Sequence, residues 1–199
     1  MAGIEGVIGL VGKDFTMLMT DSNCAESILI RRHDYDKILA LDKHKLLAMG
    51  GDHADMVQFG EYIQKNLTLY ELRNGFALST HAAANYLRGE VARGLRSGGM
   101  VMLDMLVGGY DAHDGPSLFF LDYLSALHKV NKVAHGYPAM FVTPILDREW
   151  KADLTEAEAL AIMDKCITAI RERFLVSMPS FTIKVVGKDG VKVLRKPGE

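Results

Sequence analysis

Residues 4–22 read IEGVIGLVGKDFTMLMTDS, and the fold turns on how this stretch is read. Two apolar runs, Ile4–Val11 and Phe15–Thr20, flank the polar turn Gly12-Lys13-Asp14, and the second run ends abruptly on Asp21. Short apolar runs bounded by turn residues predict a buried hairpin close to the chain start. A carboxylate where such a hairpin ends either caps a turn or supplies half of a site whose other half lies at the chain start.

Outward from the hairpin, residues 3–50 read as all-β. Ile28–Arg32 and Leu46–Met49 are further short runs between polar turns. The pattern then changes period. Met56, Phe59, Ile63, Leu67 and Tyr70 recur at steps of three and four, which predicts a helix ending near Asn74-Gly75. Ser79 is placed to cap a second helix, in which Ala84, Leu87, Val91 and Leu95 share a face until Ser97-Gly98-Gly99.

Strands return in MLVGGYD and PSLFFLDYLSAL, separated by the hairpin signal Asp114-Gly115, and a short strand is expected over Lys132–Ala134. Met140–Leu146 can form a helix interrupted near Pro144. Thr155 and Glu158 match a capping box, and Leu160, Met163, Ile167, Ile170 and Phe174 mark the stripe of the helix it opens. SFTIKVV, GKDG and VKVL close the chain as a hairpin. Hairpins dominate over alternating β-α units, so antiparallel sheets are expected, with the helices in separate pairs. The predicted fold is therefore α+β: a four-layer αββα sandwich of two antiparallel sheets flanked by helix pairs.

Composition sets the outer limits. The 199 residues fit one domain spanning 1–199, and 49% hydrophobic with 24% charged residues is an ordinary globular balance. A net charge of −2 without a basic block argues against a nucleic-acid partner or an anionic membrane surface. No apolar run approaches the ~18 residues of a membrane span, and no secretory signal is expected. Cys24 and Cys166 are far apart and outside any C-x-x-C spacing, so they read as reduced thiols.

The stretches MTDSNCAES, YDKIL, LLAMGGDHADMVQFGEYIQKNLTLYELRNG, HAAANYLR, GGYDAHDGPSLFFLDYLSAL and AHGY resemble the β-type subunits of the 20S proteasome over nearly the whole chain. The resemblance is greatest to the non-catalytic eukaryotic subunit at the fourth β-ring position. It implies the N-terminal nucleophile hydrolase fold, which is the four-layer sandwich reached above. Active members begin, once mature, with a threonine whose hydroxyl attacks the peptide carbonyl while its own α-amine takes the proton. An α-amine titrating near ~7.7–8.0 suits that task.

Residue by residue, the resemblance assigns Asp21 to the family aspartate, Lys37 to the family lysine and Gly51 to the glycine whose amide helps hold the oxyanion. Counting back from Asp21 puts the nucleophile position on Glu5, which has no hydroxyl. No Gly-Thr junction lies nearby, and Thr16 and Thr20 fall inside the second strand. No cleavable propeptide is expected in front of the hairpin. The family's Ser-Gly-Ser turn is replaced by HGYPAM, with Tyr137 and Pro138; the last long helix carries Phe174 in place of an aspartate, and Ser177 matches a family serine. Asp21, Lys37 and Gly51 are then the retained framework of an inactive site, with Asp21 and Lys37 as an ion pair positioning strand ends.

The implied role is a structural component of the β ring in the cytoplasm and nucleus, supporting ATP- and ubiquitin-dependent protein degradation by catalytic neighbours. The implied partners are β-type subunits on both sides and across the ring interface, and α-type subunits of the outer ring. Stretches expected to meet them are RRHDYDK, LRSGGM and the terminal RKPGE. An active threonine peptidase and a free-standing binding module are the competing readings. No cofactor or metal is expected. Asp52, His53 and Asp55 crowd one turn in GGDHAD, where helix capping fits better than metal binding. DAHDG lacks calcium-loop spacing, and GKDG lacks the length of a phosphate loop.

Overall fold

A computed structural model describes residues 4–26 and 29–198. The opening hairpin is β1 (Val7–Val11) and β2 (Phe15–Asp21). A small ribbon follows, β3 (Cys24–Glu26) and β4 (Leu29–Arg32), then β5 (Ile38–Asp42) and β6 (Lys45–Gly51). The first helix pair is α1 (His53–Asn74) and α2 (Thr80–Ser97). Next come β7 (Leu103–Asp111), β8 (Gly115–Leu121), β9 (Leu127–Val130) and β10 (Lys132–His135). The second pair is α3 (Ala139–Glu149) and α4 (Glu156–Arg173), and β11 (Phe181–Gly187) and β12 (Gly190–Arg195) close the chain.

The large strands form two antiparallel sheets, ordered β10-β1-β2-β11-β12 and β5-β6-β7-β8-β9. Strand pleating sends alternate side chains to opposite faces, and three apolar layers follow from it. Ile8, Leu10, Met17, Met19, Phe181, Ile183 and Val185 pack against α3 and α4. Leu47, Met49, Leu103, Met105 and Val107 pack against α1 and α2. The alternate residues Val7, Leu18, Leu46, Ala48, Leu106, Leu118 and Val186 meet between the sheets. This is the expected αββα sandwich, and every residue of β2 is buried within it.

Two details fix how the sheets meet. The Thr16 hydroxyl reaches from β2 to the carbonyls of Gly109 and Ser117 in the other sheet, at 3.1 and 3.2 Å. Gly9 and Gly108 leave room for the close approach: a Cβ on Gly108 would come within 2.9 Å of the Thr16 methyl.

Some elements depart from the sequence reading. Ile38–Asp42 forms an edge strand, and Ile4 lies before β1, which starts at Val7. PSLFFLDYLSAL is not one strand: the Asp122 carboxylate takes the N–H groups of Leu124 and Ala126, Ser125 adopts φ 70°, and β9 starts only at Leu127. Pro144 does not interrupt α3, which continues through it. Leu95 is exposed and does not complete its predicted stripe, whereas Phe174, the C-cap of α4, is partly buried against the same layer as the rest of its stripe. Ile28 and Glu199 lie outside the described residues. The capping box at Thr155 and Glu158 forms as read, as do the caps at Ser79, Gly75 and Gly98.

Candidate functional site

The ends of β1, β2 and β6 converge at one edge of the sandwich. The hairpin register places Glu5 and Gly6 next to the end of β2, where Asp21 N–H donates to the Gly6 carbonyl at 3.2 Å. The Asp21 carboxylate, 1% exposed, accepts the Gly6 N–H at 2.8 Å on one oxygen and the Asn23 N–H at 3.1 Å on the other. Asp21 therefore ties the chain start to the end of β2.

Lys37 enters from the loop before β5 and is also 1% exposed. Its ammonium donates to Asp21 Oδ2 at 2.9 Å and lies 3.0 Å from Glu5 Oε1. Burial would by itself lower the Lys37 pKa, but the charges of Asp21 and then Glu5 outweigh it and hold the amine above its ordinary value, as a cation. The expected Asp21–Lys37 pair is thus present and buried, with Glu5 as a third member.

The other Glu5 oxygen, Oε2, accepts the Gly51 N–H at 2.5 Å. Gly51 has φ +139°, and a Cβ there would fall 2.2 Å from the Met102 carbonyl, so the position demands glycine. That backbone aims the amide at the site. Glu5 therefore bridges the two groups that the resemblance matches to the family's lysine and oxyanion glycine, Lys37 and the Gly51 amide. Burial is the largest influence on its carboxyl and raises its pKa, while Lys37 and the Gly51 N–H pull in the opposite direction.

The cluster borders a cleft of ≈ 680 Å³, lined by Ile4, Asn23, Ala25, Met102, Tyr137 and Met178 among others. Tyr137 and Pro138 occupy the turn after β10, and the Pro138 ring lies 3.1 Å from where a Cβ on Gly6 would fall. Phe174 is not at the site: it packs on the α3–α4 layer near Phe141. Ser177 contributes its carbonyl, which accepts from Asn23 Nδ2 at 2.8 Å. Asp52, His53 and Asp55 do not converge on one point. Asp52 caps α1 by accepting the Asp55 N–H, Asp55 accepts the Met102 N–H, and His53 lies against Tyr35.

The sequence reading missed how Glu5 would be held, because no spacing rule links residues 5 and 51. It also missed Asn23, Met102 and Met178 as cleft residues, since each comes from a loop beside a strand end. His135, at the end of β10, lies 3.3 Å from the buried Asp104 of the other sheet. Burial raises the Asp104 carboxyl pKa.

The double sheet between helix pairs, with an aspartate, a lysine and a strand-end amide grouped at the first hairpin, is the N-terminal nucleophile hydrolase fold. Within it, the chain belongs to the proteasome β-subunit family. The family model described as "Proteasome subunit" matches residues 5–186. "Proteasome subunit beta type-2-B" of Arabidopsis thaliana is 46% identical over 189 residues, covering 95% of this chain and 94% of its own. The Dictyostelium discoideum "Proteasome subunit beta type-2" is 41% identical, covering 96% and 97%. "Probable proteasome subunit beta type-4" of Neurospora crassa is 38% identical, covering 94% and 93%. The chain is a β subunit of the 20S core, and membership of the family implies assembly with other proteasome subunits.

Proposed function

We propose that this chain is a non-catalytic structural component of the 20S β ring, working in the cytoplasm and nucleus, where it supports protein degradation by catalytic neighbours. The observation that carries this reading is Glu5. The family mechanism needs a hydroxyl and a free α-amine on one residue; Glu5 has no hydroxyl, and its nitrogen is an amide to Ile4. Its carboxylate also occupies the Gly51 N–H that would receive an oxyanion, and it holds Lys37 between two acids. Thr16 and Thr20 are fully buried within β2 and cannot replace the missing nucleophile. Asp21, Lys37 and Gly51 then serve as the retained framework of an inactive site, fixing strand ends.

The remaining work is to present surfaces. Permanent interfaces of a closed hetero-oligomer run to about 2,000 Å² or more each, and seven unlike positions require each member to reject wrong neighbours. We assign this chain β-type neighbours on both sides and across the ring interface, and α-type subunits above. Arg31–Asp34 and Leu95–Met100 are exposed and available for such contacts, whereas Lys37 of the first stretch is not.

The test uses purified particles containing this chain and an irreversible electrophilic peptide probe, with sites of modification located by mass spectrometry. Adducts on catalytic neighbours, with none at residue 5 or at a terminal threonine of this chain, are expected. An adduct at either place would identify an active threonine peptidase and overturn the reading.

A further inference from the structure

We propose that Cys24 and His53 form a thiol–imidazole pair that makes Cys24 a site of exchange with small soluble disulfides. The two side chains come from separate elements. Cys24 opens β3 and is partly exposed, whereas His53 is the first residue of α1 and lies at the surface. The thiol sulfur is 3.9 Å from His53 Nδ1, within hydrogen-bond reach for sulfur. Both groups are held in place. The Asp52 cap sets the start of α1. The Tyr35 ring packs edge-on against the imidazole, 4.6 Å between centroids, and the Tyr35 N–H is fixed to the Ser22 carbonyl at 2.9 Å. Arg32, opposite Cys24 in the β3–β4 ladder, adds a nearby guanidinium while bonded to Asp34.

The chemistry follows from the pair. A thiolate, not a thiol, attacks a disulfide, and an adjacent imidazole can take the thiol proton. The Cys24 sulfur attacks one sulfur of the disulfide RSSR. A Cys24 S–SR bond forms as the original S–S bond breaks, and the departing thiolate takes the proton from the imidazole to become RSH. Cys24 is oxidised and one half of the reagent is reduced, so the exchange balances with no further reactant.

The chain carries its own control. Cys166 in α4 is fully buried, and burial pushes its thiol pKa up to about 12, so it should be inert.

The test treats intact particles containing this chain with bis(2-hydroxyethyl) disulfide and follows each cysteine by peptide mass spectrometry. The expected result is a mixed disulfide at Cys24 and none at Cys166. His53→Gln and His53→Ala should each slow the exchange by about tenfold at neutral pH, with the gap closing at about pH 10, where a thiol ionises unaided. Both substitutions lie at the surface and leave the Asp52 cap in place. Absence of adduct at Cys24, equal rates at the two cysteines, or rates unchanged in both His53 variants would each overturn the proposal.

Discussion

Glu5 and Gly51 are 46 residues apart in sequence, yet the Glu5 carboxylate accepts the Gly51 N–H at 2.5 Å. The contact places an internal anion on the amide that the family uses for an oxyanion, and it joins the chain start to the end of β6. Charge-assisted bonds of this kind are the stronger class of hydrogen bond. They also make the cluster sensitive to single substitutions in different ways.

Asp21 should be the least replaceable acid. Asp21→Asn leaves the buried Lys37 ammonium with only Glu5 and weakens the hold on the Gly6 and Asn23 amides. Breaking one side of a buried pair costs about 3–5 kcal/mol. A comparable fall in the denaturation free energy of the recombinant chain, or failure to enter particles, is expected. A loss below about 1 kcal/mol would contradict the buried-pair assignment.

Glu5 and Lys37 should respond to pH with opposite consequences. Burial raises the Glu5 pKa above 4.5, so folding favours its neutral form; its contribution is full below pH 4.5 and is lost as pH rises through the folded value. The raised Lys37 pKa favours the cation; its contribution is present below pH 10.5 and is lost as pH climbs through the higher folded value. Glu5→Gln should therefore remove the decline just above pH 4.5 and leave the alkaline decline. Denaturation midpoints measured across pH for both proteins check this.

Gly51→Ala should be poorly tolerated. The side chain would meet the Met102 carbonyl in a backbone conformation that alanine rarely adopts. At least about 2 kcal/mol of destabilisation is expected. A thermal midpoint within error of the parent protein would show that the β6 end is not held as described.

Glu5→Ala should open a small carboxylate site. It frees the Gly51 N–H and one side of Lys37 toward the cleft, where formate can take the place of the missing group. Formate at about ten times its Kd would stabilise the variant by about 1.4 kcal/mol, roughly 3–6 °C in Tm for a chain of this size. The parent protein, its site already filled, should show no such rise at equal ionic strength.

The layers were legible because their signals are local. A helix period through Met56, Phe59 and Ile63, a capping box at Thr155, and glycine stops at Gly75 and Gly98 each act within a few residues, and each formed. The failures came where a side chain far away in sequence, or a turn, decided the outcome. Asp122 ended a strand that composition would have extended, and Leu95 lay beyond the end of its helix's buried face. At the site, Asp21 and Lys37 were assigned from a resemblance and are joined in the structure. Glu5 was identified by what it lacks. What it does depends on a glycine conformation at the far end of β6, which no spacing rule reaches.

The Thr16 hydroxyl, bonded to the Gly109 and Ser117 carbonyls, bears on how such a molecule can be used as a building block. Interdigitated apolar layers fix the offset of the sheets by shape, and a directional bond in the middle adds an angular constraint to it. In a closed ring, small errors in the shape of each member accumulate around the circumference. A central latch of this kind narrows the range of thickness and tilt that each copy brings to its contacts with other proteasome subunits.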